Sequence, residues 1–145
     1  MGYKYLEHST DSIVEAYGSG LEELFQNCAK GLVNIMFDIC KVEPRKSFMI
    51  MAEGDDLETL LYDWLEKVLL NILVDQIIPS RFKIEISDKN IDVDGKGYRL
   101  SAHVEGEGVN YGKHNYKIEI KAITYHELKI DCKDNQYTAT FLADL

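Results

Sequence analysis

The sequence predicts an α+β fold: a β-α-β-α segment followed by an antiparallel β meander, with two helices packed on a sheet. Three observations lead to this prediction. Apolar residues recur at helical spacing in two stretches of the first half. Apolar and polar residues alternate in several short segments of the second half. No linker or low-complexity tract divides the 145 residues, so we expect a single domain over residues 1–145.

The first strand–helix pair is predicted before residue 40. Residues 12–17 are β-rich and are followed by Gly18, which indicates a strand. Ser19, with Glu22 three residues later, has the pattern of a capping box and predicts the start of a helix. Apolar residues follow at helical spacing, and we expect the helix to end near Phe37.

A second strand–helix pair follows, and its helix again starts with a capping pattern. Residues 47–53 are the next strand candidate. Asp55 with Glu58 repeats the capping pattern and predicts the longest helix, at about residues 56–75. The broad apolar stripe of this helix includes Trp64, which we expect to be buried packing, so the helix should be the central packing element.

The remaining chain is predicted to be β. Residues 134–135, Asp-Asn, should form the turn between the last two strands. The predicted strands cover residues 81–86, 98–104, 116–121 continuing into 122–125, 128–132 and 137–142. Residues 90–95 resemble the start of a calcium loop, but Ser101 stands at its twelfth position where an EF-hand has Glu. Asp94-Gly95 instead indicates a hairpin turn.

Composition narrows the function classes. The formal net charge of −9 disfavours direct tight binding to nucleic acid and suits either plain solubility or a partner with a basic face. The three cysteines form no Cys-x-x-Cys pair, and their number fits a reducing cytoplasm. No secretory leader and no apolar run of membrane-spanning length is present, so we expect a cytoplasmic protein that does not associate with membranes.

Two acidic residues stand close to the two ends of the sequence. Asp11 lies near the beginning, and Asp144 is followed only by Leu145. If the two ends meet, two carboxylates and an oxygen of Leu145 converge, and a hard cation prefers several oxygen ligands. The residues alone leave a second interpretation open, that of two ordinary surface acids near the termini.

Four segments, taken in order, closely resemble the archease family. Residues 8–11 read His-Ser-Thr-Asp, where the family has His-Thr-Ala-Asp. Residues 60–65 read Leu-Leu-Tyr-Asp-Trp-Leu, which matches the family throughout. Residues 121–126 read Lys-Ala-Ile-Thr-Tyr-His, and residues 144–145 resemble the closing Asp-Leu of the family. The resemblance covers nearly the whole chain.

The resemblance implies a helper of a GTP-dependent RNA ligase of the RtcB type, which rejoins tRNA halves after intron removal. The helper promotes guanylylation and turnover of the ligase. It also implies that Asp11, Asp144 and an oxygen of Leu145 bind a divalent cation, Ca²⁺ in archaeal members, and that Lys121 is needed for activation. We expect His8 to form a hydrogen bond at this site and not to be a metal ligand. Asp63 either contacts the partner protein or is simply solvated.

Two other functions remain as alternatives. The first is a metal-dependent hydrolase that uses Asp11 and Asp144 as ligands of an activated water. The second is a general chaperone with an apolar binding face. The sequence has no nucleophile elbow, no phosphate-binding glycine loop and no His-Glu-x-x-His motif, so we expect a non-catalytic protein.

Overall fold

The structure, a computed structural model, describes residues 2–6, 11–88 and 97–145. These residues form two α-helices, α1 (Leu21–Met36) and α2 (Leu57–Leu73), and one turn of 3₁₀ helix (Ile39–Lys41). They also form the strands β1 (Tyr3–Leu6), β2 (Asp11–Gly18), β3 (Lys46–Gly54), β4 (Ile77–Asp88), β5 (Tyr98–Gly108), β6 (Ala122–Lys133) and β7 (Gln136–Asp144). The predictions for His8 and for the turn at residues 94–95 lie outside the described residues.

The strands form two antiparallel sheets. One sheet has the order β1-β2-β7-β6, and the other has the order β3-β5-β4. The predicted α+β class, with two helices packed on antiparallel strands, is therefore confirmed. The meander predicted for the second half is divided between the two sheets. Strands β4 and β5 pair in one sheet, and strands β6 and β7 pair in the other.

Each helix packs against both sheets. Helix α1 contacts β2 of the first sheet and β4 of the second, whereas α2 contacts β3 of the second and β6 of the first. The apolar stripes predicted from the sequence are the faces that make these contacts. The helices therefore join the two sheets around one continuous core.

Trp64 lies at the centre of this core, as predicted. Its side chain is fully buried, and its ring packs edge-on against Phe82 with the centroids 5.8 Å apart. The indole Nε1–H donates a hydrogen bond to the carbonyl oxygen of Phe25, 3.0 Å away, so that its one polar group is satisfied inside the core. The contact ties α2 to α1.

The helix caps differ from the predicted ones by one residue. Gly20, not Ser19, is the N-cap of α1, and Ser19 is hydrogen-bonded to Glu23 rather than to Glu22. These predictions were wrong because a capping box needs its acidic residue at the third helical position, and the helix begins later than predicted. Likewise Asp56, not Asp55, caps α2: its Oδ1 accepts from Thr59 N at 2.7 Å.

The strand predicted at residues 116–121 is wrong. Its alternation would bury Tyr116, Ile118 and Ile120 together, but Tyr116 and Ile118 are exposed and only Ile120 is buried. The backbone N–H of Lys117 donates to the carbonyl of Met36 at the end of α1 instead of to a strand. The segment runs past the helix end, and β6 begins only at Ala122.

The last hairpin is formed as predicted. Asp134 and Asn135 have φ values of 54° and 63° and connect β6 to β7. Two consecutive residues with positive φ are typical of a type I′ turn, whose twist matches that of the flanking strands. Strand β1, which was not predicted, pairs with β2 and forms an edge of the first sheet.

The membrane prediction concerns the helices. Among the described residues, the longest helix has 17 residues, and none is long and apolar enough to cross a membrane.

Candidate cation site

Strands β2 and β7 bring the two acidic candidates together. Asp11 is the first residue of β2, Asp144 is the last residue of β7, and the two are paired directly across the antiparallel ladder. Directly opposed residues have Cβ atoms about 4.5–5.5 Å apart. Both side chains are half-buried. Two carboxylates held at this spacing repel one another unless a positive charge lies near them.

Lys121 lies next to Asp144 in the fold. Its backbone N–H donates to the carbonyl oxygen of Asp144 at 2.7 Å, and the next residue, Ala122, is paired with Asp144 in the β6–β7 ladder. The Lys121 side chain is exposed. Three of the residues singled out from the sequence therefore meet at one end of the first sheet.

The donor set suits a hard cation. It consists of two facing carboxylates and the oxygen atoms of Leu145, whose side chain packs against the core and so fixes the backbone after Asp144. Ca²⁺ and Mg²⁺ prefer such oxygen ligands, whereas Zn²⁺ favours nitrogen and sulfur. Within residues 2–6, 11–88 and 97–145, no cluster of three or more His, Cys, Asp or Glu side chains could hold a metal ion. Any cation here would thus rely on Leu145 oxygens and water besides the aspartates.

An aromatic contact fixes the other end of the Lys121 segment. Tyr125 stacks on Tyr62 of α2 with a centroid distance of 4.8 Å, and its hydroxyl is hydrogen-bonded to the hydroxyl of Thr59 at 2.6 Å. The ladder between β6 and β7 shifts register between Thr124 and Lys129, a β-bulge that frees this stretch from the sheet. The helix thus supports the part of β6 that follows Lys121.

Asp63 has a defined role within the fold. Its Oδ2 accepts from the backbone N–H of Glu53 at 2.9 Å and from Lys67 Nζ at 3.1 Å. Lys67 also donates to the carbonyl of Met51 at 2.7 Å. Asp63 and Lys67 thus bond one N–H and one carbonyl of the edge strand β3, and these contacts attach α2 to that strand.

His126, the last residue of the Lys121 motif, is on the surface. Its side chain is 80% exposed, and its imidazole lies 3.7 Å from the carboxylate of Glu127. Glu127 has a φ of 62°, which is uncommon for a residue with a side chain and coincides with the bulge. The sequence indicated a turn residue after a strand at His126, and the irregularity here is a bulge within β6.

Comparison with known proteins gives a consistent result. The model of the Archease protein family (MTH1598/TM1083) matches residues 3–145. Protein archease of Thermococcus gammatolerans is 39% identical over 144 residues, covering 99% of this chain and 98% of that protein. Protein archease of Sulfurisphaera tokodaii is 36% identical over 143 residues, with the same coverage of both chains. The chain belongs to the archease family.

Solved structures of similar proteins share the fold. The solution structure of Methanobacterium thermoautotrophicum protein 1598 superposes with a TM-score of 0.85 at 30% identity, covering 99% of both chains. The crystal structure of a Thermotoga maritima archease, described as a possible chaperone, has a TM-score of 0.59 at 21% identity and covers 98% of this chain. The second likeness concerns the fold alone.

The sequence did not predict the contacts between the archease motifs. Tyr62 and Tyr125 were recognised only as motif residues, and their contact was not anticipated. A signal did exist, because each lies in a conspicuous motif and both are aromatic, but the sequence does not say which strand lies beside α2. His114, buried beneath the surface with both ring nitrogens hydrogen-bonded, also gave no sequence signal.

Proposed function

We propose that this chain is a non-catalytic accessory protein that activates a GTP-dependent RNA ligase of the RtcB type in tRNA splicing. Family membership supports this proposal, and the direct pairing of Asp11 with Asp144 is the observation that carries its mechanistic part. The protein would dock transiently near the active site of the ligase. Docking would favour a ligase conformation or metal arrangement that is competent for guanylylation.

In this proposal Asp11, Asp144 and an oxygen of Leu145 hold a divalent cation, with Ca²⁺ as the expected ion. The ion would supply positive charge that offsets the repulsion between the facing carboxylates. The aspartates hold the ion, and the sheet register holds the aspartates in place. The exposed Lys121 side chain, next to this pair, would contact phosphate or acidic groups on the partner.

The net charge favours a protein partner over RNA. With a net charge of −9, the protein is repelled by the backbone of RNA and attracted by the basic surfaces of enzymes that handle RNA. We therefore propose that it contacts the ligase in the cytoplasm without binding RNA tightly. The hydrolase alternative requires the purified protein to turn over a phosphoester by itself.

Multiple-turnover ligation by the RtcB-type ligase of the same organism is the test. Ligated RNA per ligase molecule is measured with and without this protein, and the fraction of guanylylated ligase is measured alongside. The proposal predicts that the protein raises both quantities and that it ligates nothing without the ligase. Unchanged ligase kinetics with the host's own enzyme would refute it.

A general chaperone remains the second candidate, and one surface favours it. Met49 and Met51 on β3 and Leu70 on α2 line a groove and are 56%, 52% and 44% exposed. Flexible methionine side chains are common on surfaces that bind varied apolar segments. This function predicts that the protein suppresses aggregation of unrelated clients, and that Met49→Ser with Met51→Ser removes the effect.

A further inference from the structure

A small cavity opens beside the junction of α1, α2 and the segment that follows β5. Two exposed tyrosines, Tyr111 and Tyr116, line it, and the buried ring of Phe37 lies against both. The Tyr111 and Tyr116 rings are perpendicular, with their centroids 5.2 Å apart. Apolar side chains of α2 and of the segment that follows β5, among them Leu73 and Val109, also line it. Its surface is therefore aromatic and aliphatic.

One carboxylate also lines this cavity. Glu119 is exposed, and none of the described residues forms a hydrogen bond or ion pair with its side chain. Three other acids of this region are paired: Asp38 with Lys117 at 3.0 Å, and both Glu43 and Glu107 with Lys113 at 2.6 Å. Lysines thus neutralise these three acids, whereas no lysine among the described residues pairs with the carboxylate that lines the cavity.

Backbone and side-chain hydrogen bonds connect the segments that frame the cavity. The backbone N–H of Lys117 donates to the carbonyl of Met36, the last residue of α1, and that of Val109 donates to the carbonyl of Gln76, three residues after the end of α2. Underneath, the fully buried His114 accepts from the Asn110 N–H at 3.0 Å through Nδ1, and its Nε2 lies 2.8 Å from Glu107. A preformed site loses less conformational entropy when it binds a ligand.

We propose that this cavity binds a basic side chain, a lysine or arginine, presented by a partner protein. The aliphatic stem of such a side chain suits the contact with Leu73 and Val109, and its charged head suits the tyrosine rings and Glu119. Cations are attracted to the faces of aromatic rings, and the unpaired carboxylate adds charge complementarity. The proposal requires neither a ligase nor a cation at Asp11 and Asp144.

The test uses nuclear magnetic resonance titration of the full chain with a short peptide whose single charge is that of one lysine, its termini being blocked. The same peptide with that lysine acetylated is the matched ligand control, because it keeps the stem and loses the charge. We expect saturable shifts of the amide signals of residues 36–37, 72–76 and 109–119, which line or adjoin the cavity, with the lysine peptide, and no saturation with the acetylated one. Raising the salt concentration should weaken the lysine peptide's binding, because the carboxylate is exposed.

Three variants locate the binding. Glu119→Gln and Tyr116→Leu should each lower the affinity for the lysine peptide by about 2- to 5-fold, as expected for an exposed ion pair or a cation–π contact. Glu85→Gln makes the same charge change on an exposed position of β4 outside the cavity and should leave the affinity unchanged. Equal affinity for the lysine and acetyl-lysine peptides, shifts confined to residues away from the cavity lining, or an equal effect of the two Glu→Gln variants would overturn the proposal.

Discussion

Tyr62 of α2 and Tyr125 of β6 stack with their ring centroids 4.8 Å apart, and this contact joins two sequence motifs of the archease family. The motif of residues 60–65 provides the helix surface, and the motif of residues 121–126 provides the strand that begins at the candidate cation site. The hydrogen bond from Tyr125 to Thr59 adds a second attachment. The two motifs therefore form one structural unit in which α2 supports the strand beside Asp144.

Removal of the Tyr125 ring should loosen this attachment. Tyr125→Ala should lower the free energy of unfolding by about 1–3 kcal/mol, from the lost aromatic pair and the lost hydrogen bond. Tyr125→Phe keeps the ring and should lose about 0.5–1.5 kcal/mol. Urea denaturation of the three proteins measures both values. Equal losses in the two variants would show that the stacking contributes nothing.

Two glycines should contribute to stability because no side chain fits at their positions. Gly18 ends β2 and Gly54 ends β3, and a Cβ atom on either would clash with a backbone nitrogen six residues later, that of Leu24 or Leu60. We expect Gly18→Ala and Gly54→Ala each to cost about 1–3 kcal/mol, because backbone cannot move aside as a side chain can. Thermal unfolding tests this, with Gly108→Ala as the control, because Gly108 ends β5 and a Cβ atom there would meet no atom closer than 3.9 Å.

The ion pairs around Glu107 should produce an acid-dependent contribution to stability. Lys113, the backbone N–H of Glu43 and His114 hold the pKa of Glu107 at about 2, below its ordinary value of 4.5. Because the folded pKa is the lower one, this contribution is complete above pH 4.5 and is lost as the pH falls toward 2. Denaturation from pH 7 to pH 2 measures it.

Glu107→Gln is the matched variant for this measurement. It keeps an oxygen that can accept from His114 and removes the charge that Lys113 contacts. We expect the stability difference between the native protein and Glu107→Gln to shrink as the pH falls from 4.5 to about 2. A difference that stays constant over this range would contradict the assignment.

The facing carboxylates should bind Ca²⁺. Calorimetric titration of the native protein should give a one-site isotherm, and Asp11→Asn or Asp144→Asn should remove it. Asp144→Asn should also raise the stability of the metal-free protein slightly, because one of two repelling charges is gone. Deleting residues 143–145 should likewise abolish binding, since Asp144 is lost. Native affinity in the folded deletion variant would place the ion elsewhere.

The sequence predicted the parts of the fold that local patterns determine. The stripe around Trp64 and the Asp134-Asn135 turn are periodic or local signals, and both are confirmed. The segment at residues 116–121 alternates like a strand but hydrogen-bonds to Met36, a distant partner that no local pattern reveals. The division into two sheets depends on such long-range pairing as well.

The candidate site was predictable from motifs, whereas its geometry was not. Asp11 and Asp144 are 133 positions apart, and only the β2–β7 register shows that they are direct partners. A shift of one residue would have sent the two side chains to opposite faces of the sheet. The bonds that Asp63 makes to Glu53 and Lys67 were not foreseen either, because they depend on how α2 lies along β3.

The central claim is that activation of the ligase depends on the paired aspartates. Multiple-turnover ligation by the host's RtcB-type ligase tests it most directly, with the native protein compared with Asp144→Asn and with Asp131→Asn. Asp131 is an exposed residue of β6 paired with Thr138, so its variant makes the same charge change in the same sheet. We predict that the native protein and Asp131→Asn raise ligase turnover equally and that Asp144→Asn, although folded, does not. Full activation by Asp144→Asn would contradict the account.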